Sequence, residues 1–587
     1  MAKPELTDPV LGVLAARLRA ALTAASLPDA DPELEKPKQP DHGDWASTLA
    51  LRLAKPTGRP PREIAEAIVA QLVLPEEVAD VSIAGPGFVN FRLSPRYHEA
   101  LVRRVVAEGA RFGRRERPEA ERETVNVEFV SANPTGPLHV GAGRWAATGD
   151  AIAALLEADG HTVVREYYVN DAGEQVRRFG ESVVLVGRGE PVTADHYQGA
   201  YIGEIADQLR AEHGDGLFTD VPEVEIELGG ATVDHAGGPG GRLVEDTPSP
   251  TGAARVDPRI AGRVGVFAVE AMRRRIEAQL HQLGVDFDVW FSERTLHSSG
   301  AIEATVGEFA ASGHTYETDG AVFLRTTDHG DDKDRVLVRS DGRPTYFAAD
   351  CAYMRDKWSR SGRLYYLLGA DHHGYLVRLK AAASCLGIPP EQVEIRIGQF
   401  VNLLREGAPV RMSKRSGEAI DLDEVVAEVG ADVTRYHFLR QGLDTTIDFD
   451  LATVSAQSME NPVYYVQYAH ARINSLVRTA DERGFDHGTI EDADLSRLEH
   501  PAELELLTTM ARLPLVVAEA AELRATQRLA RYAEELAGTF HRFYTECRVL
   551  VEGDEPLGQA RYWLAVAARQ GLANALSLLR VRAPERM

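Results

Sequence analysis

The chain has 587 residues, too many for one hydrophobic core, and domain-size statistics divide it into about three to five units of about 100–200 residues. Its 44% hydrophobic and 26% charged residues are ordinary for a globular protein, and the absence of any run of about 18 apolar residues argues against a membrane-spanning helix. A net charge of −24 excludes a whole-protein electrostatic grip on nucleic acid, so any RNA contact has to be local.

The opening M-A-K-P-E-L-T-D-P-V-L-G-V-L-A-A-R-L-R-A-A-L is spaced as an amphipathic helix and lacks the basic-then-apolar order of a signal peptide, so a cytoplasmic location is expected. A helical P-R-E-I-A-E-A-I follows at 61–68, then a strand-like D-V-S-I-A-G-P-G-F-V-N-F-R-L ending at Leu93, which together predict an α+β module over 1–118. Arg111, Arg114, Arg115 and Arg117, and farther on Arg273, Arg274 and Arg275, read either as local RNA contacts or as solvated faces.

From Glu123 to Ser131 the run E-T-V-N-V-E-F-V-S is a buried strand that passes through A-N-P-T-G-P into a helix beginning near His139. Strand, glycine-containing turn and helix are the opening of a nucleotide-binding α/β domain, expected over 119–450. An insertion is expected at about 195–330, with a Gly/Pro-rich part at 229–258 that cannot bury much apolar surface. The α/β pattern resumes at about 335–400, where R-L-Y-Y-L-L-G-A reads as a strand and a helix runs through Ala383. From 451 to 587 apolar-periodic segments such as N-P-V-Y-Y-V-Q-Y-A-H-A-R-I and A-E-L-R-A-T-Q-R-L-A-R-Y-A-E-E-L predict a separate helical bundle. Its Tyr464, Tyr465, Tyr468, His470 and Arg472 fit either base stacking or a core stripe. Cys351, Cys385 and Cys547 stand far apart, without zinc or disulfide spacing, and are expected to be reduced and metal-free.

Two short segments carry phosphate chemistry. In P-T-G-P-L-H-V-G-A-G-R, Gly141 and Gly143 allow close backbone approach, the helix start supplies partial positive charge and His139 a donor. By itself that segment is better read as a glycine-containing turn with a satisfied histidine, and its context decides. In V-R-M-S-K-R-S-G, Met412, Ser413 and Lys414 lie in a small, polar loop able to close over a triphosphate, with Lys414 facing charge that grows on departing pyrophosphate.

In this order the segments resemble the H-I-G-H and K-M-S-K-S signatures of class I aminoacyl-tRNA synthetases. The blocks V-E-F-V-S-A-N-P-T-G-P-L-H-V-G, R-E-Y-Y-V-N-D-A-G-E-Q-V, Y-F-A-A-D-C-A-Y-M-R-D-K and the final A-P-E-R-M are similar to those of arginyl-tRNA synthetases. The resemblance implies a multidomain α/β protein with a Rossmann-type catalytic core, an N-terminal α+β domain that contacts tRNA and a helical anticodon-binding domain. It implies ligation of L-arginine to its tRNA through arginyl-adenylate, with ATP as substrate, Mg²⁺ accompanying it, AMP and pyrophosphate as products, and tRNA needed for the first step. A monomer without a structural metal is expected.

Carried over residue by residue, Glu128, Ser131 and Asn133 lie beside His139 where acceptors meet the substrate's polar groups. Tyr346 and Asp350, four apart on one helix face, would cover the arginine stem and pair with its guanidinium. Asp371 and His372, with His373, could be read as metal ligands, but adjacent side chains diverge, and ribose or substrate contact is the favoured reading. The sequence departs from the family pattern at Ala142, where a second histidine is usual, at Arg411 and Arg415 around Lys414, and at A-D-V-T-R-Y-H-F, which keeps only Asp432 and Arg435 of a D-A-L-R block. A diverged paralogue serving a specialised pathway and a non-catalytic tRNA-binding protein are the alternative readings.

Overall fold

In the run from Thr124 to Phe129 every residue after the first is buried, so this strand has protein on both faces, as parallel sheets covered by helices require. The computed structural model describes residues 7–37, 39, 42–222, 256–369, 374–410 and 420–587. Its contacts divide the chain into two units, one formed by Pro118–Glu157 and His161–Ala456, the other by Met1–Arg117, Ala158–Gly160 and Gln457–Met587.

The first unit is built on β1 (Thr124–Phe129), α1 (Val140–Ala158), β2 (Thr162–Val169), α2 (Glu174–Gly187), α3 (Pro258–Gln282), β3 (Val289–Ser292), α4 (Tyr346–Arg360), β4 (Arg363–Gly369), α5 (Tyr375–Cys385) and β5 (Val393–Gly398). The five strands are all parallel and lie in the order β3-β2-β1-β4-β5. That is the doubly wound nucleotide-binding order, and it places the reversal of winding beside β1. Residues 258–292, inside the stretch expected to be an insertion, supply α3 and β3 of this architecture, while 229–255 lie outside the described residues. Helices α2 and α3 approach backbone to backbone: a β-carbon on Gly180 would strike the Ala261 carbonyl, and one on Gly265 the Val176 carbonyl.

Between β3 and α4 come the helices Glu293–Ser298 and Ala301–Ala311 and an antiparallel sheet of Thr315–Thr318, Ala321–Leu324 and Arg335–Val338. A buried chain of charge ties the unit's halves: Asp150 accepts from Arg165 at 3.0 Å and from Arg435 at 2.6 Å, and Arg435 also donates to the Leu283 and Gly284 carbonyls. Arg435 thus keeps a structural place although the surrounding D-A-L-R pattern has changed.

In the second unit the strand-like run ending at Leu93 is a hairpin, Val78–Ala84 and Phe88–Leu93, because Gly85 and Gly87 take φ values of 51° and 146° between them. The hairpin joins Leu34–Glu35 and Trp45–Ser47 in a four-stranded antiparallel sheet packed on the helices Pro9–Ala24, Leu49–Thr57 and Pro61–Gln71. The same unit contains the helical bundle Pro462–Glu482, Pro501–Met510, Leu513–Leu523, Thr526–Glu546 and Glu555–Leu578. The segment 521–536, periodic throughout, is broken at Arg524, which adopts φ 55° and ends one helix before Thr526 begins the next. Asn574 on the last helix donates to the carbonyls of Gly109 and Phe112, both at 2.9 Å. Among the described residues no helix is long and apolar enough to cross a membrane.

Candidate active site

At the carboxyl end of β1, Val130 and Ser131 both take positive φ, 67° and 40°. A β-branched residue in that region is strained, and such strain concentrates where the chain must present groups in a fixed direction. The turn lifts the chain off the sheet and aims Ser131 Oγ, which donates to Glu128 Oε1 at 3.0 Å and accepts from Tyr168 N–H at 3.1 Å. Tyr167 OH then donates to the Ala132 carbonyl, Asn170 to Asn133 Oδ1 at 3.2 Å, and Tyr201 OH to the Thr135 carbonyl, so the whole linker to α1 is pinned.

His139 caps α1. Its Nδ1 accepts from the backbone N–H groups of Gly141 at 3.1 Å and Ala142 at 3.3 Å, which requires a neutral ring protonated at Nε2. Desolvation lowers its pKa and favours that form. Ala142 therefore contributes its N–H where other members of the pattern carry a second imidazole. Gly143 is buried with the Leu422 side chain packed so closely on it that a β-carbon there would collide with Leu422 Cδ1. Leu422 N–H donates to the Leu138 carbonyl at 2.8 Å and Asp421 bridges to His139, so the chain just after 411–419 is fixed beside the start of α1. Met412, Ser413 and Lys414, like Asp371 and His372, lie outside the described residues.

On the opposite side of β1, the Thr345 hydroxyl caps α4 and sets Tyr346 and Asp350 on one face. Tyr375 OH donates to the Asp350 carboxyl. Burial, reinforced by Glu293 and Glu128, pushes the Asp350 carboxyl up to about 8, against the opposing pull of Arg378 and Lys357. Tyr346 is raised to about 12 by burial and by Glu293. The structure thus brings Glu128, Tyr346 and Asp350 together, with Ser131 bonded to Glu128.

Two further residues belong to this cluster. Glu293, at the start of a short helix after β3, is 1% exposed, and its Oε2 has no hydrogen-bond partner among the described residues. Lys357, wholly buried, pairs with Glu128 Oε2 and lies over the rings of Tyr366 and Tyr353 at 3.5 and 4.4 Å. Both oxygens of Glu128 are therefore engaged within the protein.

Residues 12–93 match the arginyl tRNA synthetase N terminal domain, 102–194 and 268–438 the catalytic domain of class I (R) tRNA synthetases, and 466–587 the DALR anticodon binding domain. An arginine–tRNA ligase of Frankia alni is 47% identical over 559 residues, covering 94% of each chain. The chain belongs to the arginyl-tRNA synthetases. Among solved structures, a Campylobacter jejuni protein provisionally assigned to this family is 31% identical, covers 84% of this chain and 100% of its own, and superposes with a TM-score of 0.72. The Thermus thermophilus arginyl-tRNA synthetase shares the fold at 23% identity, with 98% and 100% coverage and a TM-score of 0.72.

Within the part of this arginyl-tRNA synthetase family member that matches the anticodon binding domain, a cavity of about 740 Å³ is lined by Tyr468, Arg472, Arg478, Arg483, Tyr544 and Arg548, among others. Arg472 lies over the rings of Tyr544 at 4.3 Å and Tyr468 at 5.8 Å, and Tyr464 stacks on Tyr468. Tyr464, Tyr465 and Tyr468 are half-buried, whereas His470 is buried and its Nδ1 lies 2.8 Å from the Pro584 carbonyl. The basic stretches differ from this. Arg115 and Arg117 face Asp159, and Arg273, Arg274 and Arg275 pair with Glu270, Glu277, Glu212 and Glu204, as a solvated, acid-balanced helix face does.

Proposed function

We infer that this chain joins L-arginine to its tRNA at the expense of ATP, through arginyl-adenylate. One observation carries the choice of amino acid: the carboxyls of Glu293 and Asp350 lie beside Tyr346, Glu293 Oε2 has no hydrogen-bond partner among the described residues, and Asp350 is pushed up to about 8 chiefly by burial, with Glu293 and Glu128 adding to it. A guanidinium, planar and permanently charged with five donors, is the side chain such a site lacks.

In this reading Asp350 and Glu293 receive the guanidinium and Tyr346 covers the arginine stem. Ser131 and Asn133 meet the substrate's α-amino and carboxylate groups, and Glu128, held by Lys357, fixes Ser131. The Nε2–H of His139, with the backbone at Gly141 and Gly143, faces ATP at the start of α1. Met412, Ser413 and Lys414 close over the phosphates, and Asp371 and His372 contact ribose; these five rest on the sequence resemblance. A carboxylate oxygen of arginine attacks the α-phosphorus and pyrophosphate leaves; the terminal 2′-hydroxyl of tRNA then attacks the activated carbonyl and AMP leaves. Mg²⁺ arrives with ATP as part of that substrate. Both steps move charge onto phosphate oxygens, so fixed donors matter more than an acid–base pair.

Binding of tRNA by the arginine- and tyrosine-lined cavity, a monomeric state and a cytoplasmic location complete the reading. Pyrophosphate exchange that requires both arginine and tRNA tests it. Equal exchange with another amino acid overturns it, and tRNA binding without adenylate formation would return the non-catalytic alternative.

A further inference from the structure

The small antiparallel sheet before α4 carries three metal-binding side chains on one spot. His314 precedes the strand Thr315–Thr318, His329 ends the single-turn helix Thr326–His329, and Cys385 is the last residue of α5. One ring nitrogen of each histidine and the Cys385 sulfur all lie within 4.8 Å of one another. The two imidazoles stand 5.6 Å apart at 59°, tilted and not stacked.

We propose that His314, His329 and Cys385 bind a zinc-class divalent cation. Two imidazoles and a thiolate are borderline-soft donors that suit Zn²⁺, whereas Mg²⁺ and Ca²⁺ take oxygen. Around a tetrahedral zinc such atoms sit roughly 3.5 Å apart. His329, exposed at the rim, has room to close the remaining gap and leaves an entry path, while Cys385 is buried. Burial is the main reason the Cys385 thiol keeps its proton, and Asp328 and Asp334 add negative charge near the sulfur that a dication would offset. On binding, the thiol proton passes to solvent, and water fills the fourth position.

The ligands are held in place without the ion. Arg325 N–H donates to the His314 carbonyl at 2.8 Å, Thr326 Oγ1 to the Lys333 carbonyl at 2.8 Å, and Thr327 donates twice to Asp334 Oδ1. Cys385 shares a hydrophobic cluster with Phe309, Leu324 and Leu337. A cation here would clasp the antiparallel sheet to α5, whose first residue, Tyr375, bonds Asp350. Sequence spacing does not suggest this site, because its ligands come from three separated elements.

The test uses the full-length chain without a histidine tag. Zinc is added, excess is removed by gel filtration, and metal is counted; one equivalent per chain is expected. Cobalt added to metal-free protein should give near-ultraviolet thiolate-to-metal absorption. His329→Ala, at an exposed position, and Cys385→Ser should each weaken zinc binding by more than about 100-fold, beyond what loss of a supporting partner costs. A wild-type chain that emerges without zinc, a cobalt complex lacking the thiolate band, or a His329→Ala variant that keeps its zinc would each overturn the proposal. Should Cys385→Ser fail to fold, His329→Ala and the cobalt spectrum decide alone.

Discussion

The ammonium of Lys357 is sealed against the Glu128 carboxylate, with the rings of Tyr353 and Tyr366 beside it and no solvent exposure. Burial lowers the lysine's pKa while Glu128 and Glu166 act to raise it, so the charge persists only in company. Lys357→Met should cost about 3–5 kcal/mol in chemical denaturation, because it strands Glu128. The double variant Lys357→Met/Glu128→Gln should recover most of that stability. It should still bind arginine poorly, since Ser131 would lose its ionised partner.

Arginine binding should depend on pH through Asp350. The free site holds that carboxyl near 8, and a guanidinium placed against it pulls the value down, so binding releases a proton. KM for arginine should therefore fall about tenfold per pH unit as pH rises from 6 toward 8, then level off. Asp350→Asn should flatten the profile. In the ligand-free protein the sign is the destabilising one: above the ordinary aspartate value of 3.8 the unfolded chain sheds a proton that the folded chain keeps until about 8, so stability declines with rising pH across that window. Asp350→Asn should remove that decline in thermal melts.

Glu293→Gln should raise KM for arginine by roughly 10- to 100-fold, the worth of one charge-assisted hydrogen bond, and leave KM for ATP unchanged. Steady-state exchange kinetics varying each substrate in turn separate the two. Equal losses for both substrates would place Glu293 in scaffolding instead.

Lys414→Ala should slow adenylate formation by about 10²–10³-fold, with arginine affinity kept, because its charge is needed as pyrophosphate departs. Single-turnover measurements set against equilibrium arginine binding distinguish this from a general weakening.

Much of the architecture is legible in the sequence. The strand at Thr124–Phe129 and the helix after His139 announce themselves through apolar runs and a turn, and Tyr346 with Asp350 through helical spacing. Glu293 is not legible, because it reaches the site only when β3 pairs with β2, far along the chain from β1. Lys357 looks like a helix-end surface cation until α4 is laid on the sheet. The left-handed turn at Val130 and Ser131 and the break at Arg524 carry no glycine or proline signal; tertiary packing overrides local preference at each.

The two hydrogen bonds from Asn574 to Gly109 and Phe112 span 465 and 462 residues. During synthesis those carbonyls leave the ribosome long before their donor exists, and at about 5–20 residues per second they wait for tens of seconds. The module around Gly109 and Phe112 is therefore completed only once the helix Glu555–Leu578 has been made, and a chain that stops before Asn574 would leave both carbonyls without this donor.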